Sequence, residues 1–268
     1  MKKIIAVITV VSIVIACTRN AVTNRQQFIL FPESTLQQEA VSQYQSFLSQ
    51  NKVVNANGNK DAEMVKRVGS RIAAAINTYY ANNPSVSADL KTYKWEFNLV
   101  DSKEVNAWCM PGGKVVVYTG LLPITQNEAA LAVVLGHEIT HAIAHHGNER
   151  MSQVALAQGL QVAGDFFTKN KQQANNIFNN VFAPAAQVGV LLPNSRKQEY
   201  EADHYGLLFC AMAGYNPREA VPFWQRMSAA AGSNKPPEFL ATHPSDENRI
   251  QQLESYMDEA LSYYQPVK

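Results

Sequence analysis

Between Ala129 and Gly136 eight consecutive residues are small or apolar, and they run without a break into His137-Glu138-Ile139-Thr140-His141. Apolar residues continue through Ala144, and Gly147 then ends the run. Thr125 with Glu128 three residues later predicts a capping box at the start of this helix. A surface helix has no reason to follow such a stretch with two histidines and a glutamate. All six histidines of the chain lie at or after position 137, four of them within 137–146. On a helix, residues four apart share a face and stand about 6 Å apart along the axis. His137 and His141 can therefore hold one Zn2+ ion per chain through ring nitrogens. Glu138 reaches the edge of the same site, placed to take a proton from a water whose pKa the metal has lowered to about 7. The alternative is a histidine pair satisfied without metal.

A zinc site of this kind needs a third protein ligand. The metzincin class requires Gly at 144 and His at 147, and Ala144 and Gly147 exclude it. His145 shares the face of His141, but three consecutive turns spread too far to converge on one ion, so it reads as a solvated group or a partner to a ligand. His146 beside Gly147 reads as a helix-end contact to the last carbonyls. The stretch Ser195-Arg196-Lys197-Gln198-Glu199-Tyr200-Glu201-Ala202-Asp203 offers Glu199 and Glu201. Two apart on a helix, they point to nearly opposite faces and cannot both bind. Glu199 has Asp203 on its own face, where a carboxylate can orient a histidine ligand or assist proton transfer. Either glutamate can also be a solvated surface charge.

The N-terminus bears on compartment. Lys2 and Lys3 precede an apolar run from Ile4 to Ile15, and Val14-Ile15-Ala16-Cys17 follows the pattern of a bacterial lipobox. The run is too short to span a bilayer, which takes about 20 residues. It reads as a lipoprotein signal peptide over residues 1–16 with lipidation at Cys17, or as an ordinary signal peptide with an incidental cysteine. Thr18 lacks the aspartate that often signals inner-membrane retention in bacterial lipoproteins, which favours the outer membrane, facing the periplasm. Residues 17–32 read as the lipidated N-terminus and tether, and 33–268 as the domain. The remaining cysteines, Cys109 and Cys210, can pair in the periplasm or stay as buried thiols. With 268 residues, 46% apolar and 17% charged, the chain is globular, and a net charge of +1 gives no field favouring nucleic acid.

Periodicity predicts a helix from Ser34 or Thr35 to about Gln50, another over 61–80, and a strand through Tyr93, Trp95, Phe97 and Leu99. Asn106–Met110 and Lys114–Tyr118 flank Pro111-Gly112-Gly113 and predict a hairpin. Helices are expected over 149–168, 173–192, 196–213 and 217–230, and from the Pro244 region to Tyr264. The class is mainly α with a small antiparallel β-sheet, a zincin-like α+β arrangement.

These paired motifs resemble the gluzincin metallopeptidases that include the CAAX prenyl protease and the mitochondrial Oma-type protease (metallopeptidase family forty-eight). The bacterial lipoprotein branch similar to LoiP and YcaL matches best. Asn106–Gly113, Gly120-Leu121-Leu122, and Thr242-His243-Pro244 with Arg249 resemble further family features. The resemblance implies that His137, His141 and Glu199 bind zinc and that Glu138 is the catalytic base. It also makes Asp203 a supporting acid and gives His243 a contact to the metal or the transition-state oxyanion; the alternative for His243 is a plain turn histidine before a proline. No spanning helices are read in the sequence, so prenylated substrates are not implied. If Lys114, Val115, Val116, Val117 and Tyr118 form a sheet edge above the zinc, an extended polypeptide can add to it by main-chain hydrogen bonds. The expectation is a zinc metalloendopeptidase acting on unfolded or misassembled envelope proteins, touching the membrane through its lipid only. The alternatives are a chaperone or assembly factor whose peptidase site is restrained by His243, and a structural zinc protein. The last leaves Glu138 without a purpose, and structural sites usually use cysteines.

Overall fold

The computed structural model describes residues 17–157, 171–182, 195–232, 237–243 and 248–266. The signal peptide expected over 1–16 lies outside them, as do parts of the helices expected over 149–168 and 173–192 and the start of the one expected from Pro244. In chain order the elements are β1 (Cys17–Arg19), β2 (Gln26–Phe28), α1 (Glu33–Gln50), α2 (Lys60–Tyr79), α3 (Pro84–Leu90), β3 (Glu96–Val100), β4 (Ala107–Met110) and β5 (Lys114–Tyr118). There follow a 3-10 turn at Thr119–Leu121, α4 (Leu122–Thr125), α5 (Glu128–Ile143), α6 (His146–Ala157), α7 (Lys171–Phe182) and α8 (Ser195–Met212). A second 3-10 turn at Pro217–Glu219 leads into α9 (Ala220–Ala231), α10 (Glu238–Thr242) and α11 (Arg249–Tyr263). Among the described residues no helix is long and apolar enough to cross a membrane.

The three-stranded sheet has the order β3-β5-β4, with β3 parallel and β4 antiparallel to β5. The expected hairpin is present, and its turn places Gly112 and Gly113 at φ +78° and +83°, backbone that glycine adopts without strain. The expectation that 114–118 forms the sheet edge does not hold. Lys114 pairs with Glu96 on one side and Met110 on the other, and Val117 likewise sits between Leu99 and Ala107. The physical reason is visible in the strand itself, since all five residues are buried. Val115 and Val117 join the core beneath α2, α5 and α8, while Val116 and Tyr118 pack on the opposite face with Leu36, Ala40 and Tyr44 of α1. A strand covered on both faces carries a continuous apolar run rather than an alternating one. The sheet margins are β3 and β4, and β4 packs beside α5.

The cap of α5 also differs from expectation. Asn127 is the cap, its side chain accepting from the Ala130 amide at 2.8 Å. Thr125 ends α4 instead, with its hydroxyl bonded to the Leu122 carbonyl at 3.1 Å. From residue 130 onward every residue of α5 is buried. Its main neighbour is α8, and the two approach backbone to backbone at Gly136 and Gly206. A Cβ on Gly206 would stand 2.6 Å from the His137 amide nitrogen, closer than real packing allows. This approach is what brings a residue seven positions earlier on α8, Glu199, beside His137 and His141. Gly206→Ala must force the helices apart. It is expected to lower unfolding free energy by about 1–3 kcal/mol in a urea titration, the usual range for overpacking a core.

Candidate metal centre

His137 and His141 project from α5 with their Nε2 atoms 3.0 Å apart, and α8 brings Glu199 against both. Each Nε2 stands 3.3 Å from a Glu199 carboxylate oxygen. His243, at the end of α10, adds Nδ1 at 3.1 Å from His137 Nε2 and 3.1 Å from Glu199 Oε2. These four buried side chains offer donor atoms all within 4.8 Å of one another. Zinc bonds of about 2.0–2.1 Å in a tetrahedron put neighbouring ligand atoms about 3.3 Å apart, close to the 3.0 Å between the two Nε2 atoms and the 3.3 Å from each to a Glu199 oxygen. Two imidazoles and one carboxylate, His137, His141 and Glu199, are a donor set that zinc takes in hydrolytic sites with its fourth position open.

Electrostatics suits a cation. Burial opposes ionisation of Glu199, but the charge of His243 and hydrogen bonds to the neighbouring rings outweigh it and hold the carboxyl well below its usual range. Burial keeps His141 well below the ordinary histidine value, so its ring is neutral and its lone pair free to bind. Burial opposes charge on His137 too, yet its hydrogen bonds to Asp203 and Glu199 prevail and raise it to about 9. Glu138 is wholly enclosed, and burial pushes its pKa up against the pull of His243. Its Oε1 lies 3.2 Å from His243 Nε2 but without hydrogen-bond geometry, so it is a buried oxygen without a partner. An orphaned carboxylate oxygen beside a donor cluster is the place for an exchangeable water.

The residues behind the ligands are as fixed as the ligands. Asp203 accepts from His137 Nδ1 at 3.0 Å and from Arg249 at 2.7 Å, on the side of the ring away from the cluster. Arg249 is buried, lies 3.5 Å above the Trp224 ring, and also reaches Glu199 at 3.5 Å and the His243 carbonyl at 3.4 Å. Burial works against ionisation of Asp203, but Arg249 and His137 hold its carboxyl below the usual value. Cys109 and Cys210 are both free thiols. Burial, then the Glu138 carboxylate, pushes the Cys109 pKa well up.

His146 makes a contact that the spacing did not foretell. It is fully buried, with Nδ1 2.9 Å from His141 Nδ1 and Nε2 3.1 Å from Glu201. The expected helix-end contact to carbonyls is replaced because α5 stops at Ile143 and His145 takes φ +55°, turning the chain so that His146 folds back on His141. Glu201, the other candidate ligand, faces away from the cluster and is paired with Arg25. His145 pairs with Asp89 at 3.0 Å.

A hydrolytic metal centre carried on two buried helices is thus what the geometry defines. The sequence model of Peptidase family M48 matches residues 59–257, and the chain belongs to that family. It is 37% identical over 169 residues to the mitochondrial metalloendopeptidase OMA1 of Schizosaccharomyces pombe, a match covering 62% of this chain and 48% of that one. It is 34% identical over 175 residues to the human metalloendopeptidase OMA1, covering 62% and 33%. The beta-barrel assembly-enhancing protease of Yersinia pestis is 31% identical over 180 residues, covering 65% and 37%. The matches thus span between a third and a half of the length of these relatives.

Two measurements test the supports of the centre. Arg249→Met leaves Asp203 and Glu199 buried beside a neutral side chain, and a loss of about 3–5 kcal/mol is expected by denaturant titration, as for one broken partner of a buried pair. The second concerns His145, whose own burial disfavours charge while Glu33 and Asp89 raise its pKa to about 9. A folded-state pKa above the unfolded value gives stability that is full below about 6.5 and lost as pH rises through about 9. His145→Gln should flatten the fall in unfolding free energy across that window.

Proposed function

We propose that this chain is a zinc-dependent metalloendopeptidase that hydrolyses peptide bonds of unfolded or misassembled proteins in the bacterial envelope. The observation that carries the reading is the convergence of His137, His141 and Glu199 on one point, with the unpartnered Glu138 oxygen beside it. In this reading His137 and His141 bind through Nε2 and Glu199 through its carboxylate. Zinc bound there supplies a Lewis acid that polarises the scissile carbonyl and acidifies water. Glu138, with its raised pKa, takes the proton from the attacking water and passes it to the leaving amide nitrogen. Asp203 orients His137 through Oδ1, which accepts from His137 Nδ1 and Arg249, and its Oδ2, without a hydrogen-bond partner, is the oxygen left for the supporting acid's role.

The substrate arrives along β4. This strand is paired on one side only, beside α5, and an extended polypeptide adding there is recognised by backbone hydrogen bonds. Such recognition needs a substrate whose main chain is unpaired, which supports unfolded proteins as clients. The similarity to a bacterial assembly-enhancing protease and the lipobox at Cys17 support an envelope site with a lipid anchor, while the OMA1 relatives are mitochondrial by name.

A second reading has its own observation. His243 Nδ1 is the fourth donor of the cluster and its Nε2 faces Glu138, so it stands where water and a substrate carbonyl must enter. This placement supports the reading of a chaperone or assembly factor whose peptidase site His243 restrains.

The test is zinc content together with cleavage of reduced, unfolded protein. The parent should bind one zinc and cleave. Glu138→Gln should keep the zinc and lose a factor of about 100 to 10,000 in kcat. If His243 restrains the site, His243→Ala should raise cleavage; a parent that binds no zinc would refute both readings. For the anchor, Cys17→Ser should move the protein from the membrane fraction to the soluble one.

A further inference from the structure

A hydrogen-bonded chain leads from the metal centre to a residue far away in sequence. We infer that Arg25 is a positioning residue for this centre, holding His141 through Glu201 and His146. The inference rests on the reading of His141 as a zinc ligand through Nε2.

Protons fix the direction of the chain. A neutral imidazole that binds a cation through Nε2 carries its hydrogen on Nδ1. His141 Nδ1 must then donate across 2.9 Å to His146 Nδ1. His146, receiving on Nδ1, carries its own hydrogen on Nε2 and donates it to Glu201 Oε2 at 3.1 Å. Glu201 is an acceptor only, and Arg25 Nε donates to both of its oxygens at 2.8 Å. Every link has one donor and one acceptor, so one tautomer of each ring satisfies the whole chain. His137 reaches its carboxylate directly in Asp203, whereas His141 reaches Glu201 only through His146.

Arg25 is itself held firmly. Its two terminal nitrogens bind the two oxygens of Glu149 at 2.7 and 2.6 Å, a bidentate fork that only arginine makes. Glu149 also accepts from Gln198 at 2.7 Å, one residue before Glu199. The segment carrying Arg25 docks through other contacts as well. Gln27 donates to the carbonyl of Ala144 at the end of α5 at 2.7 Å, the Leu30 amide donates to Ser152 at 2.9 Å, and the Phe31 carbonyl accepts from Asn148 at 2.9 Å. Arg25 lies outside residues 59–257, the part that matches the family model. The stretch before α1, read from sequence as a tether, therefore supplies the last member of the support behind a metal ligand.

Groups behind a ligand typically change metal affinity by 10- to 100-fold when removed. The full chain would be compared with Arg25→Ala, Arg25→Lys, Glu201→Gln and Glu149→Gln. Three quantities would be read: the zinc dissociation constant by chelator competition, the visible spectrum of the Co2+-loaded protein, and the unfolding midpoint without metal. Arg25→Ala and Glu201→Gln should each raise the zinc dissociation constant about tenfold and shift the cobalt bands, and the double variant should be no worse than either alone. Arg25→Lys should recover part of the affinity. Glu149→Gln, which loosens the fork but leaves the chain to His141 intact, should stay within about twofold, far below the tenfold expected of a broken chain. Should Arg25→Ala fail to fold, Glu201→Gln, which keeps the shape of the side chain, decides the matter. A lower midpoint with unchanged affinity and spectrum would make Arg25 a staple of the N-terminal segment and overturn the inference. A parent that takes up no zinc would instead overturn the ligand reading on which it stands.

Discussion

The close approach of α5 and α8 sets the terms for everything around it. Two helices whose backbones meet at Gly136 and Gly206 leave the side chains one and two turns away pressed into a shared space, and those side chains are His137, Glu138, His141, Glu199 and Asp203. A buried carboxylate or imidazolium is costly without a partner. Each of the four ligating or orienting groups therefore leans on the next: Glu199 on both histidines, His137 on Asp203, Asp203 on Arg249, Arg249 on Trp224. Glu138 Oε1 and Asp203 Oδ2 are the two oxygens of this group without a hydrogen-bond partner, and Glu138 Oε1 is the one that borders the donor cluster, 3.2 Å from His243 Nε2.

The sheet serves this arrangement by both of its faces. One packs on α2 and α5 and fixes the active helix; the other packs on α1. Two covered faces make β5 the central strand and leave β4 as the margin next to the site. The margin strand β4 and the donor cluster on α5 thus lie against the same helix. The N-terminal hairpin closes the opposite flank, where Arg25 and Gln27 reach α8 and the end of α5.

Much of the site was legible because it is local. His137, Glu138 and His141 follow from helical spacing, and the pairing of Glu199 with Asp203 from the same rule on a second helix. The helices themselves were found within a few residues, α2 at 60–79 against an expected 61–80 and α8 at 195–212 against 196–213. The errors have separate physical causes. Thr125 offered a good capping box, yet a short helix α4 intervened and Asn127 took the cap. Lys114–Tyr118 was read as an edge although its unbroken apolar run already marked a strand buried on two sides. His146 was misplaced because helical spacing was extended past a residue that turns with positive φ.

By itself, then, the sequence determined which chemical groups are available and which of them share a helix face, since a periodicity of 3.6 residues depends on nothing beyond the local backbone. It singled out the histidine pair, the glutamate beside it and the two candidates for a third ligand. Tertiary structure decided between those candidates: Glu199 faces His137 and His141, while Glu201, two residues on, turns to His146 and Arg25. It also placed His243 within the donor cluster, made β5 the central strand with β4 at a margin of the sheet, and joined Arg25 to a centre more than a hundred residues away in sequence. Those outcomes depend on which elements pack together, and burial makes that choice over the whole chain at once.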